Sequence, residues 1–174
     1  MKIVDVENRE IIDVLPDRRV ETIEKYFRGC DYGNVEIVVM DLSKAFKEAI
    51  RRALGNPLII ADRFHFMRQA YWAFDEVRRQ VQHDLWKDKR IQMKRSKELL
   101  WKSPKKLNDK GKKRVEEVLE DHDELRKAYE LKNALDDWFK NADSDTAREG
   151  LEAWISLVND AQISLFQKVT KTFT

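Results

Sequence analysis

The stretch Val35–Arg68, VEIVVMDLSKAFKEAIRRALGNPLIIADRFHFMR, decides how the chain is read. Two short apolar runs, Val35–Met40 and Leu58–Ala61, each end in an aspartate, Asp41 and Asp62, and an amphipathic segment follows each. A β-branched run of this length, bounded by polar residues, reads as a buried strand. Between the runs, Ala45, Phe46, Ala49, Ile50 and Ala53 recur at helical spacing, and Gly55-Asn56-Pro57 ends the helix. Two strands joined by a helix make a βαβ unit, whose strands run parallel. Both aspartates are then expected at the carboxyl ends of neighbouring strands, where open α/β sheets gather ligands.

Upstream, Lys2–Glu7 and Ile11–Leu15 are short β-rich runs that read as an antiparallel hairpin, with Pro16 stopping the second strand. Asp17 is the expected N-cap of a helix through Arg28, ended by Gly29. Asp31-Tyr32-Gly33-Asn34 is turn chemistry leading into the next strand. The order to this point is ββαβαβ, the beginning of a mixed α/β sheet.

Beyond Asp62 no further strand signal occurs. Phe64, Met67, Tyr71, Phe74, Val77, Val81 and Leu85 mark one face of a long helix. Helical character continues through Ile91–Trp101, breaks at Ser103-Pro104, and resumes behind Asn108 as a cap. A further helix carries Leu125 to Phe139. The cluster Asp143-Ser144-Asp145-Thr146 opens a last one reaching Phe173. The expected organisation is an α/β core over residues 1–85 and an array of about four helices over 86–174. Trp72, Trp86, Trp101, Trp138 and Trp154 are expected in the packing of that array.

With 174 residues, 38% of them charged and 42% apolar, the composition fits one real hydrophobic core with a helical appendage. No apolar run approaches the roughly 18 residues that cross a bilayer. The single cysteine, Cys30, fits a reducing cytosol. The net charge of +2 hides a polarity along the chain. Residues 86–114 hold 13 Lys/Arg against Asp88, Glu98 and Asp109, a net of +10, whereas residues 115–174 carry a net of −7. The basic block suits a polyanion, with Lys87, Lys89, Arg90, Lys94, Arg95, Lys97, Lys102, Lys105 and Lys106 as candidate phosphate contacts. The competing reading is a solvated helix surface that pairs with the acidic stretch after it.

Asp41 and Asp62 stand 21 residues apart. Carboxylates at adjacent strand ends are hard oxygen ligands suited to Mg²⁺ or Mn²⁺, and paired ions of this kind drive phosphoryl transfer. The competing reading is that each aspartate caps the helix that follows it. His65, three residues past Asp62, would share a helical turn with it, although a histidine between Phe64 and Phe66 is ordinarily a packing residue. Gly-rich phosphate loops, Cys/His clusters and nucleophilic serine motifs are missing from the sequence.

VVMDLSKAFKEAI followed by PLIIADRFHFMRQAYWAFDEVRRQV resembles the catalytic domain of insertion-sequence transposases of the ISL-three type. IIDVLPDRRVETIEKYF is similar to that family's second and third strands and first helix. MKRSKELLWKSPKKLNDKGKKRVEEVLEDHDELRKAYELKNAL is similar to its helical insertion. The resemblance implies a ribonuclease-H-like fold and a DDE triad whose two metal ions, Mg²⁺ or Mn²⁺, cut DNA and join it to a target. It matches Asp41 to the triad's second carboxylate and a metal ligand, with Asp62 and His65 as auxiliaries in the ADRFH signature. The family's first catalytic aspartate, on its central strand, would precede Met1, and its glutamate motif would follow Thr174.

The expectation is therefore an incomplete ribonuclease-H-like mixed sheet, a hairpin plus two parallel strands, of marginal stability and without strand-transfer activity alone. The alternative is a non-catalytic remnant that binds DNA, or a full-length transposase, and modulates it. Self-association and a cytoplasmic location, at the nucleoid when DNA is bound, complete the expectations. With the resemblance set aside, a small α/β protein with a structural role remains.

Overall fold

The computed structural model describes residues 1–30, 35–143 and 145–173. The expected turn at residues 31–34 and Ser144 of the acidic cluster lie outside them. The described residues form two compact units, Met1–Phe66 and Met67–Thr174.

In the first unit, β1 (Lys2–Asp5) and β2 (Glu10–Val14) pair antiparallel, and β3 (Ile37–Met40) pairs parallel with β4 (Leu58–Ala61). The hairpin and the βαβ unit thus form as expected, with strands starting or ending up to two residues from the sequence reading. The single mixed sheet does not form. Among the described residues there are two separate two-stranded sheets, because no described segment supplies a strand that both could pair with. Each ribbon is below the size that is stable alone. Both lean on α1 (Val20–Arg28) and α2 (Lys44–Leu54), whose Ile23, Ala49 and Ile50 form a core with Leu15. Ile3, Val38 and Ile59 reach that core from the strands. Full burial of a side chain such as Ile23 or Ile50 stabilises by roughly 1.5–3 kcal/mol. The alternate residues Ile37, Val39, Leu58 and Ile60 face away and are exposed.

The cap of α1 is a correction. Asp17 does not cap it: the helix starts at Val20 behind Arg19, and Asp17 Oδ1 accepts the Arg19 N–H at 2.9 Å. Arg19 is still extended, with φ −71° and ψ 143°, so the aspartate closes a turn ahead of the helix.

The second unit is helical: α3 (Arg63–His83, whose first turn belongs to the first unit), α4 (Lys87–Arg95), α5 (Lys97–Trp101), a 3-10 turn at Pro104–Lys106, α6 (Asp109–Leu119), α7 (Asp123–Asn141), α8 (Ala147–Ala161) and α9 (Ser164–Phe173). Asn108 caps α6 as expected, its Oδ1 accepting the Gly111 N–H at 2.8 Å. Two expected helices are each broken in two. Ser96 interrupts the first, turning its hydroxyl back to the Gln92 carbonyl at 2.9 Å, a bond that competes with the helix ladder. Gln162 interrupts the second in the left-handed region, φ 56°.

Packing roles also divide the tryptophans. Trp154 is buried and donates Nε1 to the Leu131 carbonyl at 2.9 Å. Trp86, by contrast, is 89% exposed, because it stands at the N-cap of α4 where neither adjoining helix covers it. Trp72 is half exposed, with the Arg68 guanidinium 4.6 Å from its ring centre.

The centre of this unit holds a buried lysine. Lys132 is fully buried on α7, and its Nζ donates to the Leu100 carbonyl at 2.8 Å and the Trp101 carbonyl at 3.4 Å. Those carbonyls end α5, where a positive charge is favoured. The rings of Tyr129, Tyr71 and Phe74 surround the Nζ at 4.7, 5.2 and 5.3 Å. Burial pushes the Lys132 ammonium down to about 7, with Asp136 acting upward and Lys140 downward.

Two stability outcomes follow. The unfolded chain holds the Lys132 proton up to its usual value of 10.5, whereas the folded chain releases it near 7. The unfolded state therefore binds more protons between these values, and stability rises with pH across that window. In urea melts, the stability of the parent relative to Lys132→Met should grow from pH 7 to pH 9; a constant difference would contradict it. Separately, a Cβ at Gly150 would run into the Trp138 indole, whose Nε1 donates to the Ala147 carbonyl at 3.2 Å. Gly150→Ala should destabilise by about 1–3 kcal/mol in urea unfolding despite its better helix propensity. A more stable variant would show that the ring can retreat.

Candidate functional site

The parallel pairing of β3 with β4 brings the two aspartates to one end. Met40 stands in register with Ala61, and the Asp62 N–H donates to the Met40 carbonyl at 2.7 Å, so Asp41 and Asp62 each step off a matched pair. Neighbouring strands lie about 4.8 Å apart, which makes these carboxylates neighbours across the sheet. Both are half-buried.

Each carboxylate also organises the backbone after it. Asp41 Oδ1 accepts the Ser43 N–H at 3.0 Å, and Ser43 Oγ then caps α2 by accepting the Phe46 N–H at 3.3 Å. Asp62 Oδ1 accepts the Phe64 N–H at 2.7 Å and the His65 N–H at 3.3 Å, which makes Asp62 the cap of α3. Asp62 and His65 thus share the first turn of α3, as expected, and meet through the histidine's backbone N–H. The His65 ring lies edge-on to Phe64, 5.7 Å between centres.

Asp41 and Asp62 are the carboxylates the strands bring together. Among the described residues, no group of three or more His, Cys, Asp or Glu side chains could hold a metal ion. The described residues thus do not fit a complete two-metal centre. What they offer is two carboxylate oxygen donors at adjacent strand ends, a setting for a share in a larger cation-ligand set.

The candidate phosphate contacts divide into two groups. Lys89 Nζ pairs with Asp121 at 2.7 Å, and Lys105 Nζ with Asp137 at 2.9 Å. The hydrogen bond and charge of Asp121 hold the Lys89 ammonium above its ordinary value, and Lys89 in turn holds the Asp121 carboxyl low. For these two lysines, the pairing of basic with acidic stretch is realised. Lys87, Arg90, Arg95, Lys94, Lys102 and Lys106 are exposed and have no acidic partner among the described residues; Lys97 reaches Asp75 at 3.7 Å.

Sequence reading missed the arrangement around Asp75. This α3 carboxylate is buried and binds Arg78 Nε at 2.8 Å and Arg79 Nε at 3.1 Å. Burial acts to raise the Asp75 carboxyl, but the Arg78 hydrogen bond and the charges of Arg78, Lys97 and Arg79 hold it below its usual range. The signal was present in FDEVRRQ, where arginines follow an aspartate at three and four residues.

No helix of the described residues is long and apolar enough to cross a membrane. No curated protein and no solved structure matches the chain. The family model of ISL3-type DDE transposases, described as "Transposase", matches all of residues 1–174. With its paired strand-end aspartates and helical array, the chain belongs to the ISL3-type transposase family.

Proposed function

We propose that this chain is part of the catalytic region of a DDE transposase acting on DNA, with residues 1–85 as a ribonuclease-H-like core and residues 86–174 as a helical insertion. The observation that carries the reading is the register Met40↔Ala61, which sets Asp41 and Asp62 side by side at the carboxyl ends of parallel strands. Family membership makes DNA the substrate class and divalent metal the general cofactor. Asp41 takes the role of the triad's second carboxylate, and one of its oxygens is already oriented by the Ser43 N–H. Asp62 and His65 support that corner by fixing the start of α3.

Two strand-end carboxylates fall short of the set that two Mg²⁺ or Mn²⁺ ions require. These 174 residues by themselves are accordingly inactive in cleavage and strand transfer. The second reading, a module that binds DNA or a full-length transposase and modulates it, is favoured by the cations of α4 that lack acidic partners. Phosphate contacts of that kind position a duplex without reading its sequence.

Incubated with supercoiled plasmid and Mn²⁺ or Mg²⁺, the 174-residue chain should produce no nicking. Metal-dependent nicking that disappears in Asp41→Ala would overturn the inactivity. Electron paramagnetic resonance during Mn²⁺ titration should show weak binding that Asp41→Asn removes and His65→Ala leaves. Binding indifferent to Asp41→Asn would sink the ligand role.

A further inference from the structure

The last turns of α3, together with α4 and the start of α5, enclose an open groove of ≈ 580 Å³ in the second unit. From α4 come Lys87, Arg90 and Lys94, at steps of three and four residues, so they share one helix face. At 1.5 Å per residue this stripe runs about 10 Å. Arg79 of α3 and Lys97 of α5 flank it.

Beneath the cations lies a built floor. Asp75 binds Arg78, Arg79 and Lys97 together, so one carboxylate serves three cations. Arg78 is only 5% exposed and spends its guanidinium on Asp75 and on Gln82 Oε1, the latter at 2.6 Å. It therefore holds α3 in place and is not available to a ligand. The three α4 cations have no acidic partner among the described residues. Like charges on one helix face destabilise the helix, and an incoming anion relieves that repulsion.

Chemistry then narrows the occupant. The charges form a line, as the phosphates of a nucleic acid strand do, and 10 Å covers about three phosphates at 3.4 Å of axis per strand. The lining side chains are donors almost throughout. Gln82 carries the only uncharged polar group among them, and its acceptor oxygen is tied to Arg78. Reading bases takes both donors and acceptors placed at groove edges, so this surface is suited to backbone and not to sequence.

We propose that the groove between α3 and α4 is a track for one strand's phosphodiester backbone in duplex DNA, with Lys87, Arg90 and Lys94 as the phosphate contacts. Arg79 and Lys97 share their charge between Asp75 and the strand. Lys89 and Lys105, though in the same basic block, lie outside the groove lining and pair with Asp121 and Asp137 instead. The assignment rests on DNA being the partner of this family.

Fluorescence anisotropy with a labelled 20-base-pair duplex, from 50 to 200 mM KCl, tests it. Each phosphate contact contributes about 0.9 to the slope of log affinity against log salt. The combined variant Lys87→Gln, Arg90→Gln, Lys94→Gln should therefore lose about 2.7 of slope. Lys89→Gln with Lys105→Gln should keep the parent slope, and a second duplex of unrelated sequence should bind the parent equally well. All substitutions are on exposed side chains and leave Asp75 intact; melting by circular dichroism confirms the fold. A parent that does not bind duplex at 50 mM KCl removes the DNA reading itself, and the groove with it. A parent that binds while the triple variant keeps its slope, or while the Lys89/Lys105 variant loses it, overturns the groove and leaves DNA binding standing.

Discussion

Parallel pairing of β3 with β4 is the constraint on which the α/β unit depends. Strands that run parallel cannot be joined by a tight turn, so α2 must carry the chain back along the sheet. That crossover supplies the apolar surface, Ala49 and Ile50, on which one face of each ribbon rests. It also forces both strand ends to the same side, which is why two aspartates 21 residues apart in sequence become neighbours. Had the strands paired antiparallel, Asp41 and Asp62 would stand at opposite ends and no shared chemistry could arise. The geometry of the candidate site is thus a consequence of topology before it is a matter of side chains.

How far the sequence could be read follows from the range of the interactions involved. The β3–α2–β4 unit was legible because apolar runs, a helical stripe and Gly55-Asn56-Pro57 are local signals. Asn108 was legible as a cap for the same reason. Asp17 was not, since a carboxylate closing a turn just ahead of a helix has the same local signature as one capping it. The break at Gln162 carries no glycine or proline to announce it. The division into two sheets turns on whether a third strand lies between them, which no local pattern encodes. Likewise, the basic block was visible as composition, but which of its lysines meet acids depends on helices brought together from more than thirty residues away.

Charge in the second unit is neutralised selectively. Lys132 is buried where carbonyls and aromatic faces take the place of a carboxylate, tying α7 to the end of α5. Asp75 sits buried under three cations, locking the last turns of α3 to the start of α5. Lys89 and Lys105 are drawn to Asp121 and Asp137. These contacts hold helices in place, and among the cations left over, Lys87, Arg90 and Lys94 share one face of α4. A surface built only to be solvated would gain from interspersing its charges, as alternating signs along a helix face do. The segregation seen here costs helix stability that binding of an external anion, as proposed for the α3–α4 groove, would recover.

Two readings of Asp41 looked exclusive in the sequence, a helix-organising aspartate or a metal ligand. The geometry removes the conflict. An ionised carboxylate has two oxygens and about four lone-pair sites. The Ser43 N–H engages Oδ1 alone and, in doing so, restricts the rotation of the whole group. Holding a ligand carboxylate with a second hydrogen-bonded partner is how metal sites orient their donors. Asp62 differs: its Oδ1 accepts two N–H groups of α3, which commits it more fully to capping. The unequal backbone load on two otherwise equivalent strand-end aspartates supports the proposal that Asp41 is the ligand and Asp62 its support.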